Sequence, residues 1–182
     1  MPVSEETYKR IALEDPSAQW ELVCGELRKK PPMTMPHNDV QSELTHQLRM
    51  QLERAQYHVR SNSARAHTSA GSYFVPDVLV IPTTLVRKFE SRPFELEEYI
   101  EPLPLVVEVW SRSTGEYDVG DKLAEYRRRG DLEVWRVHPY DRTLTAWRRQ
   151  PDGSYSETTY TSGVVDVASL PGVSVDLTTL WD

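Results

Sequence analysis

Between residues 38 and 56 the apolar side chains Val40, Leu44, Leu48 and Leu52 recur every four positions, the spacing of an amphipathic helix that lays one stripe on a core. This is the longest helix the pattern predicts. Residues 57–60 and 73–81 then read as strands, the second broken at Pro82, which cannot continue a ladder. Residues 104–110 form a run of valine and leucine holding one carboxylate, the mark of a central strand covered on both faces. Val119, Leu123 and Tyr126 define one face of a helix ending near Gly130, and Ser113 and Glu116 stand at capping-box spacing before it. Strands are expected at residues 133–138, 143–149 and 155–160, the last two joined by a turn at Pro151-Asp152-Gly153. Nearer the start, residues 4–14 read as a short helix capped by Ser4 and closed by Asp15-Pro16. Residues 20–24 and 27–29 read as a hairpin around Gly25-Glu26, which is not an ideal two-residue turn. Helix, hairpin, long helix, strands, helix and strands together predict an α/β fold with a mixed sheet flanked by helices. No repeat or Gly/Ser linker divides the chain, so residues 1–182 are expected to form one domain.

Composition narrows the class. A hydrophobic fraction of 38% and a charged fraction of 27% suit an ordinary soluble protein, and no apolar run nears the roughly 20 residues of a membrane helix. The start, MPVSEETYKR, is polar and acidic where a signal peptide needs a basic start and an apolar stretch, so a cytoplasmic location is expected. The single cysteine, Cys24, can form no internal disulfide and no Cys-based zinc site, and is expected to be a small buried hydrophobe. A formal net charge of −7 argues against coating nucleic acid by bulk attraction. It does not exclude a nuclease, because an acidic site that recruits Mg²⁺ inverts the local field. The basic clusters Lys29-Lys30, Arg127-Arg128-Arg129 and Arg148-Arg149 are expected as solvated helix ends or strand edges.

Candidate chemistry starts at Glu108. A carboxylate inside Leu105-Val106-Val107-Glu108-Val109 would face a covered side of the sheet, where an unpaired charge is strongly unfavourable. Alternation puts it on the face of Val106 and Trp110. Asp77 opens Val78-Leu79-Val80-Ile81, directly after Pro76. Two carboxylates on strands make an oxygen-ligand pair for a hard divalent cation; the alternative is that each pairs with an arginine or sits at a strand edge. Lys122 falls beside the buried stripe of its helix, so its ammonium can reach over the sheet. Its alternatives are a stem lying along apolar surface or a pair with Glu125.

Val75-Pro76-Asp77-Val78, Val107-Glu108-Val109, Ser111 to Thr114, Asp118 to Tyr126 and Val134 to Pro139 resemble the Uma-two family of restriction endonucleases, within the PD-(D/E)XK nuclease superfamily. The likeness extends to residues 21–27, Pro36-His37 and Leu170-Pro171-Gly172. It implies a restriction-endonuclease-like core, a Mg²⁺ site (Mn²⁺ as substitute) held by Asp77 and Glu108, and Lys122 as catalytic lysine. The superfamily's lysine usually lies two residues after the second acid, where this chain has Trp110; Arg112 and His138 stand where proline and aspartate are common. Glu43 and His37, on and before the long helix, are accessory candidates, while His46, His58 and His67 show no metal-ligand spacing. The leading expectation is a Mg²⁺-dependent endonuclease acting on nucleic acid, DNA first, as a homodimer addressing two strands. The alternatives are a catalytically silent nuclease fold binding nucleic acid or protein, and an accessory protein whose acids are only salt-bridged.

Overall fold

The computed structural model describes residues 2–112 and 118–181. The chain opens with α1 (Glu5–Glu14), β1 (Trp20–Val23), β2 (Glu26–Lys29) and α2 (Met35–Gln51). It continues through β3 (Tyr57–Ser61), β4 (Arg65–His67), β5 (Tyr73–Phe74), β6 (Val78–Pro82), α3 (Thr83–Val86), β7 (Glu98–Tyr99) and β8 (Leu105–Val109). After a π turn at Asp118–Lys122 come α4 (Leu123–Arg129), β9 (Glu133–His138), β10 (Thr143–Arg149) and β11 (Tyr155–Tyr160). β12 (Val164–Asp166), β13 (Ser174–Asp176) and α5 (Leu177–Leu180) close it.

A six-stranded sheet runs β11-β10-β9-β8-β6-β3, a five-stranded one β2-β1-β5-β4-β7, and β12 pairs with β13. Within the large sheet β8 and β9 are parallel and the other pairs antiparallel, so it is mixed as expected. Strand alternation in the large sheet sorts the core against it into two clusters. Val78, Val80, Leu105, Val107, Val109 and Val137 join the α2 stripe Val40, Leu44 and Leu48. Leu79, Ile81, Val106 and Val134 instead meet Phe74, Tyr99 and Tyr126. All of β8 is buried, as its valine-rich run requires.

Several expectations need correction. α2 starts at Met35 rather than 38, because Pro36 lies in the first turn, where a missing N–H is harmless, and it stops at Gln51 with Leu52 extended. Residues 73–81 are not one strand: β5 belongs to the small sheet and β6 to the large one, with Val75-Pro76-Asp77 crossing between them. The hairpin turn is a true two-residue one, since Val23 faces Glu26 and both Cys24 (φ 50) and Gly25 (φ 80) are left-handed. Cys24 is therefore exposed, not a buried hydrophobe. Nor is each basic cluster wholly solvated: Lys30, Arg129 and Arg148 turn inward onto Asp77, Asp131 and Glu133. The capping box at Ser113 and Glu116 lies outside the described residues. Among the described residues no helix is long and apolar enough to cross a membrane.

Candidate active site

The β6–β8 ladder ends with Val78 opposite Val107; beyond it Asp77 and Pro76 precede β6, while Glu108 and Val109 complete β8. Proline has no N–H for a ladder, and the strand end is completed differently. The Val109 N–H donates to Asp77 Oδ2 at 2.7 Å, so the carboxylate takes the place of a main-chain acceptor. The other oxygen, Oδ1, accepts from Lys30 Nζ at 2.7 Å. Lys30 also donates to Asn62 Oδ1 (2.6 Å) and the Val75 carbonyl (2.7 Å), which uses all three protons of the ammonium. Burial pushes the Asp77 carboxyl up, but the Lys30 charge and His37 pull it down further, so it sits well below the usual carboxylate range. Asp77 is thus ionised although only 1% exposed.

His37, expected only as an accessory, projects from the first turn of α2 and is also 1% exposed. Its Nε2 lies 3.2 Å from Asp77 Oδ2 but poorly aligned, and neither ring nitrogen has a hydrogen-bond partner within the protein. Buried polar atoms left this way call for an explanation such as a water, an ion or a ligand.

Glu108 is buried on the other side of the strand end. Its Oε1 accepts from Tyr126 Oη at 2.5 Å and from Lys122 Nζ at 3.4 Å. Lys122 ends the π turn and Tyr126 lies four residues on in α4, so the two share one helix face and converge on one carboxylate. Lys122, 2% exposed, also donates to Glu21 Oε1 at 3.0 Å, and Glu21 accepts the Val75 N–H at 2.8 Å. Val75 therefore joins the two halves, its N–H bound to Glu21 and its carbonyl to Lys30.

The structure thus places the predicted residues at one end of β6 and β8 as two groups, Asp77 with His37 and Glu108 with Lys122, linked through the main chain of Val75 and Val109. It does not bring Glu43 there: that carboxylate accepts from Gln47 on α2, which goes on to the Asp176 carbonyl. Glu21, Lys30 and Tyr126 were not foreseen as site residues. Glu21 carried the signal that marked Glu108, a carboxylate within an apolar strand, in Trp20-Glu21-Leu22-Val23.

Among the described residues no three or more metal-ligating side chains stand in one group. Mg²⁺ asks for less, since it commonly keeps several waters and takes one or two carboxylates together with substrate phosphate. Asp77, with the unused ring nitrogens of His37 beside it, and Glu108 at the end of the neighbouring strand are the hard carboxylates that such an ion would use.

A family model described as "Putative restriction endonuclease" (Uma2) matches residues 5–179. No curated protein matches the chain. Among solved structures it is similar to one described as "a putative nuclease belonging to DUF820 from Anabaena variabilis ATCC 29413". The likeness has a TM-score of 0.78 at 15% identity and covers 99% of this chain and 98% of the other, which shows a shared fold. With the family model spanning almost all of its 182 residues, the chain belongs to the Uma2 family.

Proposed function

We propose that this protein is a Mg²⁺-dependent endonuclease hydrolysing phosphodiester bonds of DNA, with Mn²⁺ able to substitute. The observation that carries the reading is a buried lysine, Lys122, converging with Tyr126 on Glu108, at the end of the strand next to the one that the ionised Asp77 precedes. Burying charges costs folding free energy even when they are paired, as these are, and active sites are where such groups collect. Asp77 and Glu108 would hold the ion, which when bound polarises the phosphate and lowers the pKa of a bound water.

The chain's own groups do the rest. Lys30 keeps Asp77 charged, so the ligand is ready at neutral pH. Tyr126 holds Glu108 Oε1 and fixes the rotation of that carboxylate. Lys122 supplies a compact ammonium that can turn from the carboxylates to charge growing on phosphate oxygen. His37 offers a ring nitrogen for a water beside Asp77. A homodimer in the cytoplasm would let two such sites address two strands.

A second reading, a catalytically silent binding module, is favoured by one observation: each acid already has a lysine, Lys30 on Asp77 and Lys122 on Glu108. Incubating plasmid DNA and RNA with the protein and Mg²⁺ or Mn²⁺, beside Glu108→Gln and titration calorimetry of the metal, separates the two. The nuclease reading expects cleavage and metal uptake that both vanish in Glu108→Gln. Intact substrate with no heat of metal binding would establish the silent module.

A further inference from the structure

The end of the large sheet that carries Asp77 and Glu108 also carries an aromatic cluster that the proposed chemistry does not use. β8 and β9 are parallel, so Trp110, just past β8, and His138, at the end of β9, emerge at the same end. Trp110 follows Val109, whose N–H is held by Asp77. Its indole stacks on the His138 ring with centroids 4.3 Å apart and planes 28° from parallel. Tyr140 stands edge-on to both, at 5.7 Å and 6.3 Å.

Tyr140 is 56% exposed, and across from it Met35, at the start of α2, is 73% exposed. Between them lies an open cleft of about 360 Å³, lined also by Pro36, Asp39, Pro139, Arg142 and Trp181, so that one carboxylate and one guanidinium border it. Its walls are the first turn of α2, which also carries His37, and the β9–β10 turn. That turn is held in shape: the Asp141 N–H donates to His138 Nδ1 at 3.0 Å, and Arg142 is left-handed with φ 50. Tyr140 Oη reaches Thr34 Oγ1 at 3.4 Å, tying the ring to α2. The ring is therefore both presented to solvent and fixed before any ligand arrives, which lowers the entropy lost on binding.

We propose that this cleft is a stacking site for one unpaired nucleobase of the strand whose phosphate lies at Asp77 and Glu108. The inference rests on the nuclease reading for its occupant. Charge makes the choice: a protein of net charge −7 gains little from bulk attraction to a polyanion, whereas base–aromatic stacking does not depend on net charge. Proximity adds to it, because a phosphodiester at this end of the sheet brings its own bases to the same end. Arg142 on the cleft wall adds a guanidinium for the ring face or an adjoining phosphate.

The experiment is fluorescence anisotropy of a short labelled single-stranded DNA, with Ca²⁺ or chelator so that nothing is cleaved. Wild type, Tyr140→Ala and Tyr140→Phe are compared on the intact strand and on strands with an abasic site at each position in turn. Tyr140→Ala should weaken binding about tenfold, near the low end of the worth of one stacked base, and Tyr140→Phe by less than about twofold. On wild type one abasic position should reproduce the loss, and on Tyr140→Ala that position should cost nothing more. Equal affinities of wild type and Tyr140→Ala, a flat abasic scan, or no binding of the strand would overturn the inference. Stacking-dependent binding without cleavage in Mg²⁺ or Mn²⁺ would leave this site standing and remove the catalytic reading. Cleavage with a flat scan would do the reverse.

Discussion

Lys122 shows how one residue ties stability to the proposed chemistry. Its ammonium is tolerated inside because Glu21 and Glu108 both face it, at 3.0 and 3.4 Å. Removing it takes the lysine counter-charge from two buried carboxylates, and breaking a buried pair typically destabilises by about 3–5 kcal/mol. Lys122→Met should therefore lower the free energy of unfolding by an amount of that order in urea titrations, and adding Glu21→Gln should recover part of it. Additive losses in the double variant would show that Glu21 is not a partner. In the cleavage assay, run well below the variants' melting points, Lys122→Ala should slow turnover by on the order of 100-fold, the worth of one lost oxyanion donor. Lys122→Arg should stay slow, because a planar guanidinium does not fit a site shaped for an ammonium. Full activity in Lys122→Ala would remove it from the chemistry. Glu108 was legible in the sequence because a carboxylate in an all-apolar strand must have a reason, and Lys122 because it lies beside a helical stripe. Lys30 was not, since the end of an exposed hairpin strand, β2, says nothing of the Val75-Pro76-Asp77 crossing that packs over it.

Among the elements, those with a sustained period were readable and those without one were not. β9, β10 and β11 fall where alternation places them, and α1 keeps its Ser4 cap, with Oγ accepting the Thr7 N–H at 3.2 Å. β4, β5 and β7 span two or three residues each, too few to carry a period, and pairing across long stretches of sequence, β5 with β1 and β4 with β7, defines them. Pro76 marked a break that hydrophobicity alone concealed, because Tyr73 to Val75 before it and Val78 to Ile81 after Asp77 are apolar and equally buried. α4, which carries Tyr126, ends as its sequence requires: Gly130 is left-handed at φ 81, and its N–H donates to the Arg127 carbonyl at 3.1 Å. A Cβ there would meet Arg149 and Pro102 only at 3.7 Å, ordinary contact, so the effect of a substitution is conformational rather than steric. Gly130→Ala should destabilise the protein by about 1 kcal/mol, read as a lower denaturation midpoint at unchanged slope. A midpoint equal to that of wild type would mean that this helix end is not held in the left-handed form.

At the scale of the whole molecule, the acidic balance and three partly buried histidines pull stability in opposite directions as pH falls. Protonation relieves the self-repulsion of a chain with net charge −7, which favours the compact state. Against this, His58, His67 and His138 all titrate below the ordinary histidine value of 6.5, in each case chiefly because burial penalises the charged ring. Arg60 and Arg54 lower His58 further and Arg136 lowers His138, while Glu98 and Glu5 only partly offset the burial of His67. A histidine with a depressed folded value binds its proton more readily when unfolded, so its contribution is fully present above about 6.5 and is lost below it. The repulsion term acts over long distances and is damped beyond about 8 Å at physiological salt, whereas the desolvation of partly buried rings is local and less sensitive to salt. The local term should win: at about 0.15 M salt the melting temperature should fall as pH drops from about 7.5 to about 5.5, on either side of the histidine reference value. Calorimetry across that window checks it. His67→Gln, which keeps a polar side chain of similar reach against Glu5 but removes the titration, should flatten the fall. A melting temperature that holds or rises toward pH 5.5 would mean that net-charge relief governs this fold.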